Sequence, residues 1–232
     1  MIRRLPAAML AAAALGALPP AQAADALSNS YWDAAYLNSQ VEVGPASTDI
    51  EGFRLGAGIG LAKYLSFTGD YDQRRYRNGR EGFGSAGFAG HTRHRVYQFH
   101  GALTYERIEG DDNTDSANDY VEDGYGVEVG ARYAFPDVAV HAEYRYLDFG
   151  SLGGTGGAVD FTGSRYGVGA DVQLSPWWSL VADYRVRAHQ FDASGGSATV
   201  DYSEWTVGFR HYFATAADRL ARHGGLLGGA AE

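Results

Sequence analysis

From residue 52 to residue 213 apolar side chains recur at every second position, in runs of about ten residues separated by turn formers, and this period of two commits the chain to β-structure. Phe53, Leu55, Ala57, Ile59 and Leu61 share one face, with Arg54, Gly56, Gly58 and Gly60 on the other. Tyr125, Val127, Val129, Ala131 and Tyr133 oppose Gly126, Glu128, Gly130 and Arg132 in the same way. The split recurs in residues 138–146, 165–174 and 178–187. About ten residues is also the length at which a tilted strand crosses a bilayer.

A soluble sandwich and a membrane barrel both alternate, so the make-up of the two faces decides between them. A water-facing side would be rich in lysine and glutamate and poor in glycine. Here Lys63 is the only lysine, and the polar face mixes glycine with Arg54, Arg132, Arg145, Arg165, Arg185, Arg187 and Arg210 against Asp70, Asp72, Glu106, Glu128, Glu143, Asp171, Asp183 and Glu204. Arginines and carboxylates in near balance, spaced by glycine, suit a narrow interior where charges pair and need room. The expected lumen network is Arg54, Asp70, Glu106, Glu128, Arg132, Glu143, Arg145, Asp171, Asp183, Arg185 and Arg210, with the apolar face turned to lipid. Aromatic residues fall near strand ends, as interfacial girdles require: Tyr64, Tyr133, Phe135, Trp177, Trp178, Tyr212 and Phe213 towards one rim, and Tyr71, Tyr105, Tyr125, Tyr146, Tyr184 and Trp205 towards the other.

Clear strand segments lie near 29–38, 52–62, 65–76, 94–107, 124–134, 138–148, 164–174, 178–190 and 201–213. Two turns on the same side of a membrane must enclose an even number of strands, which places one more in the glycine-rich stretch Glu81–Gly90. The expected fold is all-β, a closed antiparallel transmembrane β-barrel with an up-and-down meander of ten strands and eight as the alternative. Short turns at 62–64, 135–137 and 175–177 are expected inside, and longer loops at 39–50, 150–163 and 191–199 outside.

Met1–Arg4 is basic, Leu5–Leu18 is apolar, and Ala21-Gln22-Ala23 fits a cleavage site before Ala24, so residues 1–23 read as a secretory signal peptide. The barrel is assigned to residues 24–213 and a flexible periplasmic tail to residues 214–232. The absence of cysteine excludes a disulfide scaffold, a thiol nucleophile and a cysteine zinc site, and the net charge of −9 argues against nucleic acid.

The last strand, Tyr202-Ser203-Glu204-Trp205-Thr206-Val207-Gly208-Phe209-Arg210-His211-Tyr212-Phe213, resembles the closing strand of proteobacterial outer-membrane β-barrels. The likeness is to the small porin-like or opacity-type barrel domains and covers residues 28–213. It implies a Gram-negative outer membrane, a lipid bilayer with lipopolysaccharide as surroundings, and a barrel-assembly machinery that reads the strand ending at Phe213. The 19 residues after Phe213 depart from the family pattern, which stops there.

Three constellations stand out. Asp111, Asn113, Asp115, Asp119 and Glu122 match positions of a calcium loop, but Ser116 replaces its turn glycine, so a solvated acidic loop competes with a weak calcium site. No other cofactor is expected. Arg74, Arg75, Arg77, Arg80, Arg93 and Arg95 form a candidate anion- or lipopolysaccharide-binding cluster that could equally pair with that loop. His189 with Asp192, and His141 with Glu143, are the candidate catalytic pairs near strands, without a G-x-S-x-G or H-E-x-x-H motif to support them. The expectation is a non-enzymatic barrel with a structural or surface-interaction role. A narrow porin-like channel, its path left by the glycines at 56, 58, 60, 126, 130, 167 and 169, is the alternative. An adhesin or ligand-recognition barrel acting through loops 78–95 and 108–123 is the third reading.

Overall fold

The computed structural model describes residues 30–213, apart from residues 63, 95–96, 113–119, 135–137, 155–156 and 194–195. Ten strands follow one another: β1 (Tyr31–Val43), β2 (Ala46–Ala62), β3 (Leu65–Tyr76), β4 (Gly79–His94), β5 (Tyr97–Asp112), β6 (Tyr120–Ala134), β7 (Val138–Gly154), β8 (Gly157–Gln173), β9 (Trp178–Ala193) and β10 (Gly196–Tyr212). Each pairs antiparallel with its sequence neighbours, and β1 pairs with β10 from Tyr31↔Tyr212 to Val43↔Val200, so the sheet closes. Closure satisfies every strand edge without water, which hydrocarbon cannot supply. The ten-stranded meander is the fold expected from the alternation. The faint strand at 81–90 is β4, whose outward row runs Gly82, Gly84, Ala86, Phe88 and offers periodicity one large apolar residue to detect.

The two faces are inside-out relative to a soluble protein. Val129, on the outward row, is 56% exposed, whereas Glu128 beside it is 8% exposed. Tyr125, Val127, Val140, Tyr166, Val168, Val207 and Phe209 are likewise exposed, while Arg145, Arg165, Asp183 and Arg187 are buried. Trp32, Tyr64, Tyr97, Trp177, Trp178 and Phe213 mark the inner girdle, with Trp32 edge-on to Trp178 at 5.6 Å. Tyr36, Phe53, Tyr105, Tyr125, Tyr146 and Trp205 mark the outer one. Tyr212, expected in a girdle, turns inward and is buried, and Phe135 lies outside the described residues.

The long outer loops expected at 39–50, 150–163 and 191–199 are strand instead. β1 and β2 stay paired to Val43↔Ala46, β7 and β8 to Gly154↔Gly157, and β9 and β10 to Ala193↔Gly196. Gly44, at φ 59°, takes the left-handed conformation that lets the first of these hairpins reverse in two residues. Strands of 17 residues, such as β2, β7, β8 and β10, exceed the roughly 9–11 that cross a membrane. The surplus projects outward as a paired collar. Within it the faces swap: the outward row turns polar (Asn38, Gln40 and Glu42 on β1; Arg107 and Glu109 on β5) and the inward row turns apolar. There Val41, Ile50, Phe83, Ile108, Leu147, Phe149, Phe161 and Tyr202 form one buried cluster.

An arginine placed on the lipid face at mid-height, Val129→Arg, should lower the stability of the bilayer-inserted barrel by about 2–4 kcal/mol, measured by reversible denaturant unfolding in vesicles. An unchanged midpoint would mean that this row does not face hydrocarbon.

Candidate functional site

The alternation sends one row of each strand into a narrow lumen, and the structure brings the charged members of those rows together level by level. At the inner end Arg210 donates to Asp33 (2.7 Å) and Asp171 (3.2 Å), Arg132 donates to Asp171 (2.6 Å), and the Arg210 guanidinium lies over the Tyr31 ring at 4.4 Å. Next, Arg54 donates to Asp183 (3.0 Å), which also faces His141 Nε2 at 3.0 Å. At mid-height Arg145 donates to Glu128 (2.7 Å) and Glu106 (2.9 Å), and Arg165 joins Glu128 and Glu143, each at 3.2 Å. Asp70 lies 3.7 Å from Arg145 and 3.9 Å from Arg165, and Arg185 lies 3.8 Å from Glu143. Above them two pairs cross the lumen, Arg74 on β3 to Glu204 on β10 and Arg187 on β9 to Asp72 on β3.

Every residue expected in the network thus lies within it, together with Asp33, Asp72, Arg74, Arg165, Arg187 and Glu204. Burying so many charges is tolerable only because each has an opposite charge within reach. The inward glycines make the room. A Cβ at Gly56 would meet Asp33; at Gly126, Thr104 and Glu106; at Gly130, His100; at Gly167, Glu143; and at Gly169, Asp183 and His141. The space over these glycines therefore holds neighbouring side chains.

The outer end of the lumen is different. Arg74 and Arg187 lie over the Phe83 ring at 4.1 and 4.7 Å, and Phe83 on β4 meets Tyr202 on β10 edge-on at 5.8 Å. Above this, Phe149, Phe161 and Phe191 stack at 4.5 Å between successive ring centroids. Glu81 is held beneath the rim by the hydroxyls of Tyr120 (2.6 Å) and Tyr76 (2.8 Å). An ionic column capped by aromatic rings occupies the lumen. Sequence reasoning missed the cap because it assigned apolar residues to lipid throughout. The available signal was the swap of phase along single strands, as on β9, where the inward row runs Asp183, Arg185, Arg187, His189, Phe191.

The other candidate sites come apart. Arg74 is fully buried in the lumen, so it leaves the surface cluster. Arg75, Arg77 and Arg80 sit at the outer tip of the β3–β4 hairpin, while Arg93 lies near the opposite end of β4, across from Gln98. Arg95 lies outside the described residues. The cluster fails as a unit because β4 crosses the whole barrel between its two halves. Of the calcium-loop residues, Asp111 pairs with Arg80 at 3.0 Å and Glu122 faces Ile108 across the β5–β6 ladder, while Asn113, Asp115 and Asp119 lie outside the described residues. His189 is enclosed by Phe83, Phe161 and Tyr202, whereas Asp192 accepts from Gln190 at 3.0 Å. His141 engages Asp183, and Glu143 engages Arg165.

No family model and no curated protein matches the chain. Solved outer-membrane barrels do resemble it. Neisserial surface protein A is 17% identical, with 79% of this chain and 96% of that one covered at a TM-score of 0.38. The outer membrane protease OmpT of Escherichia coli is 9% identical over 79% and 96%, at 0.48. Ail, the attachment invasion locus protein of Yersinia pestis, is 14% identical over 79% and 97%, at 0.33. At 9–17% identity none of them assigns a partner or a reaction to this chain.

Removing one partner of a cross-lumen pair leaves the other charge buried and under-compensated: without Arg74, Glu204 keeps only Arg187, at 3.4 Å. Arg74→Met alone should therefore cost about 3–5 kcal/mol, and Arg74→Met with Glu204→Leu should recover most of that loss, since Asp72 and Arg187 still pair. Denaturant unfolding of the refolded barrel in micelles measures both. Equal losses in the single and double variants would exclude this pairing.

Proposed function

We propose that the chain is a non-enzymatic barrel of a Gram-negative outer membrane, with a structural or surface-interaction role carried by its outer collar. The observation that carries this reading is the filled lumen: charged side chains pair across it at successive levels, and an aromatic cap lies over them. A barrel with no free bore offers partners its outside. Its lipid face anchors it through apolar rows between two girdles, and the collar lifts polar side chains beyond the outer one.

The histidines support a role other than catalysis. General acid–base or nucleophilic chemistry needs an imidazole that a substrate can reach. His189 is 2% exposed among aromatic rings, and His141 is held by a lumen carboxylate. The lipid bilayer is the first partner of this surface, and β10, which ends at Tyr212 and is followed directly by Phe213, is the segment an assembly machinery would read.

Planar-bilayer recording on the refolded chain tests the reading. The expected outcome is no current steps above leak. Reproducible steps would replace it with a narrow channel, in which inward Arg and Asp side chains tune ion passage.

A further inference from the structure

Outside the membrane the collar is charged unevenly. On its outward rows Glu42, Asp49, Glu51, Asp123, Asp148, Asp192 and Asp201 are acidic, whereas Arg75, Arg77, Arg80 and Arg107 gather on β3, β4 and β5 and the turn between β3 and β4, beside the acids Glu109 and Asp111. Within that sector Arg75 and Arg80 are register partners across the β3–β4 ladder, and Arg77 occupies the two-residue turn between them. Like charges directly opposite on a ladder repel. Of the three, only Arg80 has an acidic partner among the described residues. Glu51, across from Arg75 on β2, bonds the Tyr36 hydroxyl, and Asp111 is 3.0 Å from Arg80 alone. Among the described residues neither Arg75 nor Arg77 has an ion-pair partner.

The three arginines surround a recess shared with Tyr76, Gly79 and Asp111. Through Arg80 and Asp111 it continues into a second recess of about 300 Å³, lined by Tyr71, Gln73, Gly82, Glu109 and Tyr120. Glu109 there accepts from the Tyr71 hydroxyl at 3.1 Å. Below, the outward row of β4 carries only Gly82, Gly84 and Ala86 before the exposed Phe88; the Tyr71 hydroxyl and Glu109 lie over Gly82, and the Tyr71 ring lies against Gly84.

We propose that the Arg75–Arg77–Arg80 tip binds the phosphate of an outer-leaflet glycolipid, with its sugar in the recess beside Tyr71 and Tyr120 and its acyl chain against the Tyr71 ring, Ala86 and Phe88. Guanidinium groups engage phosphate through paired donors, and an anion seated between Arg75 and Arg80 turns their repulsion into a clamp. The exposed Phe88 and the Tyr71 ring on the outward side below the recess favour a membrane-borne phosphate over a free one. Arg75 lies four residues past Tyr71 on β3, and Arg80 faces Asp111, six residues past Tyr105 on β5.

This inference rests on the reading of the collar as the interacting surface, yet the two fail separately. Current steps through the lumen would leave glycolipid binding untouched, and loss of binding would leave the lumen filled. The test is native mass spectrometry of the detergent-solubilised full chain titrated with bisphosphorylated lipid A, with dephosphorylated lipid A, and with inorganic phosphate as competitor. The expected results are retention of lipid A, a loss of affinity of about tenfold or more in R75A/R77A/R80A, and a similar loss with the dephosphorylated lipid. R107A, which removes a collar cation already 3.2 Å from Asp123, should bind like the parent. Heat-modifiable mobility checks that the triple variant folds, and R77E in the turn serves in its place if it does not. Equal binding by the variants, an equal loss in R107A, or full displacement by inorganic phosphate would each overturn the assignment.

Discussion

A charge inside this barrel has no bulk water to turn to, and everything else follows from that. Hydrocarbon surrounds the wall and neighbouring side chains fill the bore, so a guanidinium or carboxylate on an inward row is stable only against an opposite charge. The sequence meets the demand with arginine in place of lysine. A planar, always-charged fork engages two carboxylates at once, as Arg145 does with Glu128 and Glu106, and Arg210 with Asp33 and Asp171. Pairs such as Arg74–Glu204 and Arg54–Asp183 join strands that are not neighbours in the sheet, which ties opposite walls together beyond what the backbone ladder does.

The barrel was legible in the sequence because its rule is simple where lipid lies outside: apolar out, charged in. Val127 and Val129 against Glu128 state it within three residues. The outer third was not legible as strand, because there the rule reverses while the period stays the same. Past Tyr105 the outward row reads Arg107, Glu109, Asp111 and the inward row reads Ile108. A pattern tuned to one phase sees a polar loop at that point. The reversal is itself the mark of the water boundary, since each face is matched to the solvent it meets.

The site residues divide along the same line. Charges on strands with a strong alternation, such as Arg132, Glu143, Arg145 and Asp183, are found from face assignment alone. Arg74 was grouped with the surface arginines because its neighbours Arg75 and Arg77 suggested a patch, although alternate residues of a strand point to opposite sides and only Arg75 faces out. Asp33 stands at the start of β1, where Ala35, Leu37 and Ser39 follow it inward and give no charged row to read. Glu81 sits on β4, the strand whose glycines erase the signal.

The inward glycines carry a consequence for how such an interior can diverge. Several are matched to large neighbours: Gly56 to Asp33, Gly130 to His100, Gly169 to Asp183 and His141. Bulk is therefore conserved locally between adjoining strands, and a gain at one member obliges a trim at the other. Drift inside this barrel should proceed by reciprocal swaps of size that keep the bore plugged. A descendant that conducts would arise by shortening those partners, with no change in the number of strands.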